Sequence, residues 1–221
     1  MERQKHILVV FPHPDDEAFG TAGYLSLQSS LGTPITYICA TLGEMGRNMG
    51  KPFFANRETL PEIRRREIHD ACNVIGIEDL RLLGLRDKTL EFEDVEYLAD
   101  IIEGVINEVK PSLIITFYPG YAVHPDHDAT GEAAITAIRR IPKEERPVVF
   151  CKAFSNNCVE ELGEPDVVFD VTAAKENKIA AIKAHRSQTE GMFDRLDKMA
   201  LGEDVEGLRW LLKEEFWTYK F

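Results

Sequence analysis

The sequence predicts an α/β domain whose mostly parallel sheet is covered by helices on both faces. Short β-branched or apolar runs alternate with longer amphipathic stretches along the chain, and that alternation belongs to parallel sheets buried on two sides. No repeat, linker or low-complexity segment divides the 221 residues, a length that buries one full core. A single Rossmann-like domain spanning residues 1–221 is therefore expected.

The elements follow from periodicity and turn chemistry. Ile7 to Phe11 reads as a strand and Ala18 to Ser30 as one helix, together a first βα unit. Ile35 to Ala40 reads as a second buried strand. A Gly-rich loop, Leu42 to Arg57, separates it from a helix over Leu60 to Ile75 that carries Ile63, Cys72, Val74 and Ile75. Leu80 to Leu83 is a short strand, Val95 to Val109 a helix, and Leu113 to Phe117 a strand that Pro119-Gly120 terminates. A helix from Ala129 to Ile138 follows Pro125, and Val148 to Phe154 and Val167 to Val171 read as later strands. The segment 173–221 is helical in pattern and ends in an aromatic tail, Phe216, Trp217, Tyr219 and Phe221, expected to dock on the body.

Charge narrows the partners. The 26 basic and 38 acidic residues give a net charge of −12, which repels phosphate backbones and anionic membranes at long range. Neither a nucleic acid nor a membrane is expected as a partner. A local arginine cluster can still hold a small anion, because screening confines each charge to roughly 10 Å. The apolar run Ile7 to Phe11 is far shorter than a signal-peptide core or membrane span. Cys39, Cys72, Cys151 and Cys158 form no C-x-x-C pair, so they read as buried thiols in a reducing cytoplasm.

In open α/β sheets, ligands bind beyond the carboxyl ends of the strands, which directs attention to two loops. The first reads Pro12-His13-Pro14-Asp15-Asp16-Glu17 and the second His124-Pro125-Asp126-His127-Asp128. With Pro14 at the first helical position, His13 and Asp16 share one side and can grip one cation, while Asp15 points toward water or substrate. Three adjacent acids repel one another unless positive charge is supplied. Acids in a first turn also complement a helix dipole with no metal present; that reading leaves His13 unexplained. In the second loop, one histidine can complete a two-histidine, one-carboxylate site with open positions. We assign that ligand to His127, leaving His124 to face the substrate and Asp126 to orient its ring.

At these residues the sequence resembles the LmbE-like, or PIG-L-like, family of zinc-dependent N-acetylglucosaminide deacetylases, whose members share H-P-D-D-E after strand one and a later H-P-D-H. The resemblance extends to Glu62-Ile63-Arg64-Arg65-Arg66-Glu67 and to His185-Arg186-Ser187-Gln188. It implies one zinc ion, or Fe2+ or another divalent metal, held by His13, Asp16 and His127. It implies Asp15 as general base, His124 as electrostatic or acid partner with Asp126 in support, and Arg64 as a substrate or acetate contact. The Gly43-Glu44-Met45-Gly46-Arg47-Asn48 loop looks most like the deacetylases of bacillithiol biosynthesis, which act on N-acetylglucosaminyl malate. A malyl group needs cations, and Arg47, Lys51 and Arg57 are the suppliers in that loop. Some members carry a tyrosine where this chain has Ala122, with Tyr121 adjacent. Family members often form oligomers, and sequence leaves the subunit number open.

Other residues have plainer readings. His6 and His69 are expected on the surface, His185 as a structural hydrogen-bonder, Trp210 and Trp217 in the core, and Glu17 behind the metal ligands. Deacetylation of N-acetylglucosamine or chitobiose is an alternative activity. A nucleotide-binding module is disfavoured because no G-x-G-x-x-G follows the first strand. An iron-dependent redox enzyme would use the same donor set.

Overall fold

The computed structural model describes residues 1–221 as one seven-stranded sheet flanked by ten α-helices. The chain runs β1 (Ile7–Phe11), α1 (Asp16–Gly20), α2 (Ala22–Ser30), β2 (Ile35–Thr41), α3 (Leu60–Ile75), β3 (Asp79–Leu85), α4 (Val95–Val109), β4 (Leu113–Phe117) and α5 (Pro125–Arg139). It continues through β5 (Val148–Lys152), α6 (Cys158–Leu162), β6 (Val167–Asp170), α7 (Lys175–Ala184), α8 (Arg186–Thr189), α9 (Phe193–Leu201), α10 (Val205–Leu212) and β7 (Lys213–Thr218). Strand order is β3-β2-β1-β4-β5-β7-β6. The first five in that order pair in parallel, and β7 runs antiparallel between β5 and β6.

Every residue of β1, β2 and β4 is buried, as continuous apolar strands between two helical layers must be. The pleat of β1 divides the core in two. Ile7, Val9 and Phe11 pack with Tyr24, Leu25, Ile68, Cys72 and Ile182 on one face. Leu8 and Val10 pack with Leu98, Ile102, Ala134 and Ile138 on the other. All four cysteines are free and buried, as expected. No helix is long and apolar enough to cross a membrane.

Several details depart from the expectations, among them the start of α5 at Pro125, four residues before Ala129. The single helix expected from Ala18 to Ser30 is broken at Thr21 (φ −145°) into α1 and α2. The fresh N-terminus of α2 is satisfied from a distance, since Glu214 accepts the Gly23 and Tyr24 N–H groups at 2.9 and 2.7 Å. Pro14 does not open α1: Asp15 is its N-cap, with φ 111°, and Asp16 its first residue. The aromatic tail is partly a strand, because Lys213 to Thr218 adds β7 inside the sheet. The period-two burial of Glu214 and Phe216 against exposed Lys213 and Glu215 fits a strand and not the helix expected there.

The sheet order reverses between β1 and β4, whose carboxyl ends are adjacent. That crevice is where both motif loops emerge.

Candidate active site

The loop after β1 and the start of α5 bring His13, Asp16 and His127 together. Nδ1 of His13 lies 3.2 Å from Nε2 of His127 and 3.5 Å from Oδ2 of Asp16, and Nε2 of His127 lies 3.3 Å from Oδ1 of Asp16. These three donors form one of two groups compact enough to share an ion. The other is His13, His124 and Asp126, whose carboxylate is already engaged by the backbone. The Asp126 carboxylate already accepts the Lys88 and Leu90 N–H groups at 2.7 and 3.1 Å, and Nδ1 of His124 accepts the Asp126 N–H at 3.1 Å.

Hydrogen bonds at the back of each ring fix its tautomer for metal binding. His127 uses Nδ1 to donate to the Ala122 carbonyl at 3.1 Å, leaving a lone pair on Nε2. His13 directs Nε2 to Asp126 at 3.1 Å and to Asp87 at 3.2 Å, leaving Nδ1 for the shared site. The His127 ring is further locked by stacking on Phe117, with centroids 4.1 Å apart. Burial raises the pKa of Asp16, yet the adjacent His127 and His13 outweigh it and hold the carboxyl far below its usual range. Two imidazoles and an ionised carboxylate, pre-oriented in this way, suit zinc or a similar divalent ion.

Asp126 departs from its expected role. It is fully buried and its carboxylate orients His13, not His124. His124 is instead the N-cap of α5, fixed by the Asp126 backbone N–H. Burial lowers its pKa, and the neighbouring His13 and His127 lower it further. Because Nδ1 accepts a hydrogen bond, the neutral ring carries its proton on Nε2, a donor with no protein partner.

Asp15 occupies a backbone region that side chains rarely adopt. It is held there from two sides. Glu17 accepts the Asp15 N–H at 3.1 Å, and Nη2 of Arg64 donates to the Asp15 carboxylate at 2.9 Å. Burial raises the Asp15 pKa, opposed by Arg64. Arg64 is itself buried and also donates to the carbonyls of Gly43, at 2.9 Å, and Pro14. Expected as a substrate contact, it is first a clamp between the β2–α3 loop and the β1–α1 loop. Glu17 is fully buried between the Tyr37 hydroxyl (3.1 Å) and Nε2 of His185 (2.5 Å). His185 is thus structural and has no surface on the pocket.

These groups line a cavity of about 350 Å3 that also receives Met45, Gly46, Arg47, Asp87 and Lys88. Of the three loop cations expected there, Arg47 lines the cavity, Lys51 does not, and Arg57 donates to the Glu44 and Gly46 carbonyls to brace the loop. Tyr121 donates to Glu161 and is absent from the pocket wall. Sequence reasoning missed Asp87 and Lys88. Asp87 accepts the Met45 N–H at 2.7 Å. Its burial is outweighed by His13, which with that N–H brings its pKa to about 2. Both residues follow β3, so the strand-end rule applied to a third loop would have found them.

A model of the PIG-L family, described as GlcNAc-PI de-N-acetylase, matches residues 8–138. The chain is 56% identical over 218 residues to a probable N-acetyl-α-D-glucosaminyl L-malate deacetylase 2 of Bacillus subtilis, covering 99% of each. A relative of the same description from Bacillus cereus is 55% identical over 218 residues, again covering 99% of both chains. Among solved structures, an N,N'-diacetylchitobiose deacetylase from Pyrococcus horikoshii superposes with a TM-score of 0.73 at 24% identity, over 98% of this chain and 84% of that one. A 4-carboxy-2-hydroxymuconate hydratase from Pseudomonas putida shares the same fold at 20% identity, with a TM-score of 0.76 and coverage of 98% and 97%. A fold that hosts both a hydratase and deacetylases does not choose the reaction; the family match over most of the sheet and both motif loops does. The chain belongs to the PIG-L family of de-N-acetylases.

Proposed function

We propose that the protein is a zinc-dependent hydrolase that removes the acetyl group from N-acetyl-α-D-glucosaminyl L-malate, which would place it in bacillithiol biosynthesis. The observation that carries this reading is the convergence of Nδ1 of His13, Asp16 and Nε2 of His127 beside Asp15 and His124 in one cavity. The relatives at 55% and 56% identity support the substrate.

Zinc in this site would supply Lewis acidity, lowering the pKa of a water it holds from about 15.7 toward about 7 and polarising the acetyl carbonyl. The chain's residues do the rest. Asp15, clamped by Arg64 and Glu17, accepts the proton of the attacking water and returns it to the amine nitrogen as the C–N bond breaks and acetate is released. The Nε2–H of His124 donates to the oxyanion as it develops, and it does so from the neutral ring. Asp126 and Asp87 hold the imidazole of His13, and Ala122 that of His127, so that neither ring turns during the reaction. Arg47, on the cavity wall, meets a malyl carboxylate.

The test pairs two measurements on protein purified without added metal. Elemental analysis should find about one zinc per chain, and amine release should be faster from N-acetylglucosaminyl malate than from N-acetylglucosamine or diacetylchitobiose. Iron in place of zinc, with oxygen consumption and no amine release, would refute the hydrolase. A preference for diacetylchitobiose would keep the hydrolase and remove the malyl substrate.

A further inference from the structure

A second cavity, of about 310 Å3, lies apart from the residues of the active site, between α1, α7, α10, β5 and β7. Four cations line it, Lys152, Lys178, Arg209 and Lys213, against two carboxylates, Glu214 and Glu215. In a chain of net charge −12, a cavity with a surplus of two positive charges calls for a physical account. Some basic residues elsewhere are tied to acids, as Arg81 is to Asp79 and Glu108 and Arg140 to three acids of α4.

The internal pairing does not remove the surplus. Lys178 is 1% exposed and is neutralised by Glu214, which it meets at 3.2 Å, while the rest of that carboxylate caps α2. The Lys152 ammonium donates only to the Glu215 carbonyl, at 2.6 Å, and forms no ion pair. Burial brings its pKa down to about 8, opposed by the Glu214 carboxylate and reinforced by the charge of Lys178, and an anion placed beside it would favour its charged form. Arg209 and Lys213 make no ion pair and no side-chain hydrogen bond, and both are exposed. Beside them Trp210, expected in the core, is 38% exposed. Its ring rests over the Lys178 ammonium, 4.6 Å from the centroid, and 6.1 Å from that of Phe19.

The geometry points to a binding site for a small phosphate monoester, its phosphate held by Lys152, Arg209 and Lys213 and its organic part against Trp210. A phosphate monoester carries about −1.5 to −2 charges at neutral pH, which matches the surplus, whereas one carboxylate would leave a cation unmatched. The arginine fork and the two ammonium groups offer the donors that phosphate oxygens accept. The inference is independent of the reaction assigned to the active site.

Phenyl phosphate is the direct probe, titrated into the metal-free full chain at neutral pH and followed by calorimetry and tryptophan fluorescence. Saturable binding of one molecule per chain is expected, several-fold tighter than inorganic phosphate and far tighter than the uncharged phenyl glucoside. Replacing Arg209 and Lys213 together by alanine should weaken it at least tenfold. Both side chains are exposed, so the fold should survive, and a thermal melt checks this; the single reversal Arg209→Glu gives an independent reading. Trp210→Phe should abolish the fluorescence change and leave calorimetric binding. Absence of saturable binding, indifference to both the alanine and the reversal variants, or equal binding of phenyl glucoside overturns the inference. So does loss of binding in Arg47→Ala, which would place the anion in the active site.

Discussion

Oδ2 of Asp126 lies 3.1 Å from Nε2 of His13, although 113 positions separate the two residues. The contact means that the second motif contributes twice to the candidate metal site: His127 as one of its three donors, and Asp126 by holding the imidazole from the first motif. Asp126→Asn presents an N–H group to one of three N–H donors, from His13, Lys88 and Leu90. Zinc affinity should fall by about 10- to 100-fold, the usual effect of losing a partner behind a ligand, as a competition titration with a chelator would read. Unchanged affinity would return Asp126 to the role of supporting His124.

Asp15 and His127 should separate chemistry from metal binding. In Asp15→Asn the proton acceptor is lost and the three metal donors remain, so metal content should stay near one per chain while turnover drops by about 10²- to 10⁴-fold. His127→Ala should lose metal and activity together. Elemental analysis beside the rate assay distinguishes them, and parallel loss of metal in Asp15→Asn would remove its assignment as the base.

Arg47 tests the malyl group. Arg47→Ala should raise KM for N-acetylglucosaminyl malate by about tenfold or more, since a hydrogen bond to a charged group contributes about 1.5–3 kcal/mol. The KM for N-acetylglucosamine should hardly move. Equal rises for both would mean that Arg47 serves the sugar or the loop.

Gly43 has φ 61°, and a Cβ there would stand 1.8 Å from Nη1 of Arg64. Gly43→Ala should cost at least about 1 kcal/mol from backbone strain alone and should lower turnover by displacing the clamp on Asp15. Urea unfolding and the rate assay check the two halves. A variant with native stability and turnover would show that Arg64 does not need this approach.

Glu214 joins three elements, pairing with Lys178 and capping α2 from β7. Glu214→Ala leaves a buried ammonium unmatched and should destabilise the fold by about 3–5 kcal/mol, as broken buried pairs do. Adding Lys178→Met should recover part of that loss. Additive losses in the denaturant midpoints would show the pair to be uncoupled.

The sequence by itself determined the fold class, most of the element boundaries and the two loops that meet at the candidate site, because each is written locally. Short apolar runs that alternate with helical patterns, such as Leu113 to Phe117, read as strands buried on both faces, and the helix Val95 to Val109 has the bounds its apolar period indicates. His13, Asp16 and His127 were legible because their motifs lie where strands end, and the order of the sheet then makes β1 and β4 neighbours. Tertiary structure decided what depends on contacts between distant segments. Whether residues 213–218 become strand or helix turned on the gap between β5 and β6 that β7 fills. The break at Thr21 is accommodated by Glu214, some 190 residues away. The role of Asp126 and the entry of Asp87 into the site follow from the position of the loop after β3, which brings their carboxylates onto the same imidazole nitrogen. A periodic pattern records which face of a segment is buried, and only the packed chain specifies what that face meets.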